Sequence, residues 1–324
     1  MIDGACGSGG MFVQSMRFVD EHKGNRKNIS IYGQEYTDTT RRLAKMNLAI
    51  RGISANLGLS AANTFLDDQH KDLKADFALE NPPFNQKNWR EDNQLLDDPR
   101  WNGYPIPPTS NANYAWLLNT ISKLGQDGVG AVLLANGALS ASGDEYEIRK
   151  KMIQNDMVEA IIILPMKVFY TTDISVTCWI LNKNKKARIE HRNSGNVTYR
   201  DRSGEILFMD LRQMGHPYEK KYIELNKEDR DIVTDKFKSW RQVDYYLTYE
   251  DVPEFCYSAS AKEIIEKDFS LVPSRYIEFN QVEENTNYED KMEILSKELR
   301  GLLIKEESSK KELLKVLEEL GYGI

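Results

Sequence analysis

Short apolar runs and stretches of helical periodicity alternate along the first 180 or so residues. Met11, Phe12, Val13, Met16, Phe18 and Val19 recur as on a helix buried over much of its surface. Residues 28–35 alternate and read as a strand. Residues 37–52 read as a helix, with Leu43, Met46, Leu48 and Ile50 apolar and Gly52 placed to end it. A weak strand is expected over 61–65 and a short buried one over 77–79. Residues 112–124 read as a helix ended by the glycines at 125–128. The run 129–134 is continuously apolar, as in a central strand. A helix over 145–155 and strands over 157–164 and 174–181 follow. This alternation predicts an α/β fold, a mostly parallel sheet with helices on both faces. About nine residues and no helix separate the last two strands, which predicts an antiparallel hairpin at one edge.

Beyond residue 183 the texture changes. Lys183, Lys185, Lys186, Arg188 and Arg192 form a basic run, read as a solvated loop. A short strand over 206–209, a helix over 226–240 and an extended connector over 270–276 are expected. From about residue 281 apolar positions recur at Met292, Leu295, Leu299, Leu302, Leu313, Val316 and Leu320. That register predicts an amphipathic, coiled-coil-like C-terminal helix. The chain thus divides into 1–200, a small α/β extension and connector over 201–280, and a helical tail over 281–324.

Composition narrows the classes. With 40% hydrophobic and 29% charged residues among 324, a globular core is expected. No apolar run is long enough for a transmembrane helix, and Met1-Ile2-Asp3-Gly4 has no signal-peptide character. Cys6, Cys178 and Cys256 are far apart and form no CxxC pair, so reduced thiols in a cytoplasmic protein are expected. The four histidines lack zinc spacing, and no metal site is expected. The net charge of -7 means that any nucleic-acid contact must come from a local patch or a partner.

Three elements carry candidate chemistry. The turn Asp3-Gly4-Ala5-Cys6-Gly7-Ser8-Gly9-Gly10 opens a helix, which brings backbone N–H groups close to a ligand. Glu35 ends the next strand, where a carboxylate can accept both hydroxyls of a ribose. Asn81-Pro82-Pro83-Phe84 follows the strand over 77–79. Its two prolines end the ladder and stiffen a loop that holds an amide and a ring against something flat. The prolines and tryptophans of 85–110 show no periodicity, and a loop of that length reads as a functional lid.

In this order the three elements resemble adenine-N6 DNA methyltransferases, and in particular the modification subunits of type I restriction-modification systems. The glycine-rich turn is similar to the family's Asp-Pro-Ala-Cys-Gly-Ser-Gly-Gly, with Gly4 in place of proline. Residues 133–139, 148–150, 164–170 and 270–276 resemble further family blocks. Asn81 together with Phe84 favours adenine over glutamine- or guanine-directed relatives, which usually carry Tyr after the prolines. The resemblance implies a Rossmann-like S-adenosylmethionine-dependent methyltransferase domain over 1–200. It implies that the Asn81 carbonyl and the Pro82 backbone carbonyl grip the amine of a flipped adenine, with Phe84 stacked on the base. On the cofactor side it implies Asp3, Gly7, Ser8, Gly9 and Gly10 near the methionine portion, Glu35 on the ribose and Asn63 near the cofactor adenine. Asp67 and Asp68 read as solvated loop acids. The implied partners are double-stranded DNA, a specificity subunit bound partly through the C-terminal helix, a restriction subunit and a second modification subunit. In the family a helical domain precedes the turn, so the chain is expected to lack that domain and most of its first strand. The competing expectation is an inactive remnant that only binds the specificity subunit.

Overall fold

A computed structural model describes residues 1–170, 173–192, 195–219, 221–279 and 288–319. The chain enters the interior of a sheet at once. β1 (Ile2–Asp3) is short, yet it pairs in parallel on both sides, with β2 (Tyr32–Gly33) and with β3 (Ala75–Glu80). The turn after β1 needs glycine. Gly7 has φ +53° and Gly9 φ +77°, left-handed values at which a Cβ is strained. Gly9 caps α1 (Gly10–Glu21), which buries Phe12 and Met16. These pack with Ile31, Leu57 and the Ala44 and Leu48 side chains of α2 (Asp38–Ile50).

Two expectations about this half change. Only two residues of 28–35 form strand, after a 3-10 turn over Arg26–Asn28. The strand expected over 61–65 does not form, and Tyr32 makes an isolated bridge to Asn56 instead. The cause is local. Asn63 Oδ1 accepts the amides of Phe65 and Leu66 at 2.8 and 3.2 Å, a turn that competes with any ladder.

α3 (Asn113–Lys123) is buried nearly all round and runs straight into β4 (Leu124–Ala135). The glycines at 125–128 are therefore part of that strand. α4 (Asp144–Gln154) leads to β5 (Val158–Ile163), and β6 (Val176–Asn182) returns antiparallel between β5 and β4. A separate hairpin, β7 (Arg188–Arg192) and β8 (Gly195–Tyr199), precedes β9 (Glu205–Asp210). Next come the small hairpin β10 (His216–Tyr218) and β11 (Tyr222–Glu224), α5 (Lys227–Arg241), β12 (Cys256–Ser260) and α6 (Ala261–Glu266).

The order in the main sheet is β12-β9-β5-β6-β4-β3-β1-β2. The β5–β6 pair is antiparallel as the spacing predicts, but it lies inside the sheet. β9 pairs in parallel with β5, and β12 lies beyond it. The reason is apolar. Ile206, Leu207, Phe208 and Met209 are all buried, and such a run needs both faces covered. Residues 201–280 thus contribute strands to the sheet itself. They also cover it, with Trp240 of α5 buried and Tyr276 stacked on Phe208 at 4.1 Å. Residues 270–276 are not extended throughout, since Pro273–Arg275 form a 3-10 turn.

Two charges expected in solvent are buried. Lys185 pairs with Asp156 at 2.5 Å and donates to the Val158 and Glu205 carbonyls. Asp68 accepts Lys123 at 2.6 Å, with both side chains almost covered. A charge so desolvated is held only by such partners.

Met1–Phe279 forms one compact unit, and residues from Asn280 a second. In the second, α7 (Tyr288–Glu319) exposes Met292, Leu295, Leu299, Leu302, Leu313 and Val316. Leu320 and residues 281–287 lie outside the described residues. No described helix is long and apolar enough to cross a membrane.

Candidate active site

Parallel pairing sets the carboxyl ends of β1, β2 and β3 side by side, so the loops that leave them converge. Ala5, Glu35, Asn81, Pro82, Pro83 and Phe84 line one cavity of about 340 Å³, and Phe169 lines it too. The glycine-rich turn, the acid after β2 and the Asn-Pro-Pro-Phe loop therefore share a site.

β3 stops where its sequence requires. Pro82 has no N–H to continue a ladder, and it is buried while Asn81 is exposed and Phe84 half-buried. The far end of the loop is fastened by a reciprocal amide pair. The Asn85 backbone N–H donates to Asn113 Oδ1 at 3.0 Å, and Asn113 Nδ2 donates to Asn85 Oδ1 at 2.9 Å. Asn85 sits at φ +53°, strained for a residue other than glycine. Asn113 is 1% exposed, at the first turn of α3. The excursion 85–110, expected to be a lid, is anchored. Trp89 and Trp101 are buried against Phe65, and Trp89 Nε1 donates to the Pro108 carbonyl at 2.8 Å. Two such buried aromatics make it a packed wall.

Glu35 is already engaged. Its Oε2 accepts the Gly7 amide at 3.1 Å, and its Oε1 accepts the Thr37 amide at 3.0 Å and the Thr37 hydroxyl at 2.8 Å. A carboxylate offers roughly four lone-pair sites, so the chain occupies three. Over the turn the space is open, since a Cβ at Gly7 or Gly10 would meet nothing within 4 Å. Ser8 is exposed, and its carbonyl accepts Asn47 Nδ2 at 2.8 Å. Asn63 does not line the cavity, because its Oδ1 is held in its own turn. The neighbouring Ala62 amide donates to the Glu35 carbonyl at 3.0 Å, which sets that turn beside the end of β2.

Two acids lie beneath the site. Asp3 is 2% exposed, and its Oδ1 accepts the Ala5 amide at 2.9 Å. Burial pushes its carboxyl up to about 7, the Ala5 bond opposes this and the Glu35 charge adds to it. Glu80 is 1% exposed. Burial and then the Asp3 charge push it up to about 8, against Thr120, the Gly4 amide and Lys123. Burial, with Asp3 and Glu35 nearby, also holds the Cys6 thiol up at about 12, which removes it as a nucleophile at neutral pH.

Sequence reasoning missed four contributors: Phe169, the Asn85–Asn113 pair, Thr37 and Glu80. Phe169 alone had a signal, an aromatic in the block 164–170 that follows an apolar strand.

Comparisons with known proteins give the family. The family model described as N-6 DNA Methylase matches residues 1–285. The chain is 41% identical over 322 residues to the type I restriction enzyme HindI methylase subunit of Haemophilus influenzae, covering 99% of this chain and 68% of that protein. It is 31% identical over 326 residues to the MjaIX methylase subunit of Methanocaldococcus jannaschii, covering 99% of this chain and 56% of that one. A solved type I methyltransferase subunit from Streptococcus thermophilus superposes with a TM-score of 0.71 at 26% identity, over 86% of this chain and 53% of that one. The chain thus spans between about half and two thirds of these relatives. It belongs to the N-6 DNA methylase family, among the methylase subunits of type I restriction enzymes.

Proposed function

We propose that the chain transfers a methyl group from S-adenosylmethionine to the N6 amine of an adenine flipped out of duplex DNA, as the modification subunit of a type I complex. One observation carries this reading: a single cavity joins Glu35 and the glycine-rich turn to Asn81-Pro82-Pro83-Phe84.

When bound, S-adenosylmethionine supplies a methyl group activated by its sulfonium sulfur. The donor set fits it. Open space lies over the turn at Gly7 and Gly10, where the Ser8 and Gly10 amides hold its methionine end, since the Gly7 and Gly9 amides already donate to Glu35 and to the Cys6 carbonyl. Asp3 acts there by fixing the Ala5 amide. Glu35 holds the ribose, and two hydroxyls need two acceptor sites, so the Thr37 hydroxyl must give way. Asn63, on its turn beside β2, meets the cofactor adenine.

The target amine is a poor nucleophile, because its lone pair is delocalised into the ring. The Asn81 side-chain carbonyl and the Pro82 backbone carbonyl accept its two hydrogens and localise that pair. Phe84 stacks on the base, with Phe169 as the opposing wall. Holding the amine in line contributes more here than acid–base chemistry. Among the described residues lining the cavity, Glu35 is the carboxylate, and its oxygens are engaged. The amine proton therefore leaves to water.

A cytoplasmic complex follows from this reading. The specificity subunit binds partly through α7 and supplies most of the phosphate contacts, because this chain's net charge is -7. A second modification subunit and a restriction subunit complete the assembly. Calorimetry with S-adenosylmethionine tests the site. Glu35→Ala should weaken binding at least about tenfold, the scale of losing hydrogen bonds to a charged group. Asn81→Ala should bind as the parent does. Loss of binding in Asn81→Ala alone, with Glu35→Ala unaffected, would overturn the assignment.

A further inference from the structure

A second cavity, of about 400 Å³, adjoins the first. Phe169 lines both. The rest of its wall includes Tyr170, Tyr218, Tyr222 and Glu224, from the loop after β5 and from the β10–β11 hairpin. The two segments are tied together. The Ile223 amide donates to the Lys167 carbonyl at 3.0 Å, and the Tyr170 and Tyr222 rings meet edge to face at 4.6 Å. Lys167 takes φ +61° at the point where the chain turns toward Phe169. Tyr170 and Tyr218 remain 69% and 41% exposed. Nothing in the proposed methyl transfer uses these rings.

We propose that this cavity holds the nucleobase next to the target adenine on the same strand. The inference rests on the reading of the first cavity as the target-base site. Continuity carries it. Phe169 lies in the wall of both cavities, so their occupants are neighbours across one residue, and inserting a ring between neighbouring bases roughly doubles the ~3.4 Å step per nucleotide of a strand. Phe169 thus acts as the wedge between the flipped base and its neighbour. The tyrosines supply stacking faces that suit any base, which gives affinity with little sequence preference. Glu224 can accept an exocyclic amine, and the exposed Lys167 and Lys221 stand where the connecting phosphate would run, Lys221 lying 5.7 Å above the Tyr222 ring.

The test uses the full chain and a single-stranded thymidine octamer carrying one adenine followed by 2-aminopurine. Stacking in the tyrosine cavity should quench the 2-aminopurine fluorescence. Tyr222→Ala should weaken binding about tenfold, and Tyr222→Phe should stay within about twofold. Tyr170→Ala, on the surface loop, gives a second reading should Tyr222→Ala fold poorly, and should also reduce the quench. Cofactor affinity should be unchanged in all three. Quenching that is absent in the parent, unchanged in both alanine variants, or lost only in Phe84→Ala would overturn the proposal. So would an alanine variant that binds the oligonucleotide normally but loses the specificity subunit. Methyl transfer is read separately. If the parent transfers no methyl, the functional reading fails, while the quench still decides the fate of the cavity.

Discussion

Asn113 never touches the proposed site, yet it sets the loop that does. Its two bonds hold Asn85 in a left-handed conformation one residue after Phe84. Asn113→Ala removes both bonds and leaves the Asn85 amide without its acceptor. The loop then relaxes, and a misplacement on the order of an ångström costs up to about 100-fold in rate. The expected outcome is a kcat lowered about 10- to 100-fold, with cofactor affinity within about twofold by calorimetry. Asn113→Asp keeps an acceptor for the Asn85 amide and should lie between parent and alanine. Thr37 makes the opposite point. Its hydroxyl donates to Glu35 and gives no side-chain cap to α2. Thr37→Val therefore frees an acceptor site without unfolding the helix start. S-adenosylmethionine should bind about two- to fivefold more tightly, the share of one modest hydrogen bond. Unchanged or weaker binding would show that Glu35 does not exchange Thr37 for the ribose.

Among the elements, β1 and β3 carry a consequence for pH. Asp3 and Glu80 are both buried where these strands end, and both carboxyls are raised, to about 7 and about 8. A carboxyl raised in the folded state binds its proton more tightly there than in the unfolded chain. Stability from this source is complete below the ordinary carboxyl range and is lost as pH rises toward about 8. Each group tilts stability by up to about 1.4 kcal/mol per pH unit across that window. Glu80→Gln cannot ionise, so its urea midpoint should exceed that of the parent at pH 8.5 and approach it near pH 5. A parent whose stability rises steadily between pH 5 and 8.5 would contradict this.

What the sequence disclosed follows the same division by element. Local signals were enough for α1, the glycine-rich turn, β3 and its proline stop, because each depends on neighbouring residues. The convergence of Ala5, Glu35 and Asn81–Phe84 was also readable, since parallel strands must present their carboxyl ends together. Distant pairings were not readable. β9 joins β5 across more than 40 residues, a choice made by which apolar edge remained open. Lys185 and Asp68 looked solvated because their partners, Asp156 and Lys123, are remote in sequence. Residues 61–65 misled because the weak strand expected there was overridden by one Asn side chain.

For the whole molecule, the charge and the tail belong to one argument. The compact unit over Met1–Phe279 carries the site, and α7 presents Leu295, Leu299 and Leu302 exposed on a long charged helix. Under the proposed division of labour the specificity subunit covers those leucines and brings the DNA. The most direct test of the central claim is mass spectrometry of nucleosides from duplex DNA incubated with S-adenosylmethionine, the specificity subunit and this chain. The account predicts N6-methyl-2′-deoxyadenosine with the parent, and none above background with Asn81→Ala despite unchanged cofactor binding. Methyl on another atom or base, or equal N6 methylation by Asn81→Ala, would contradict it.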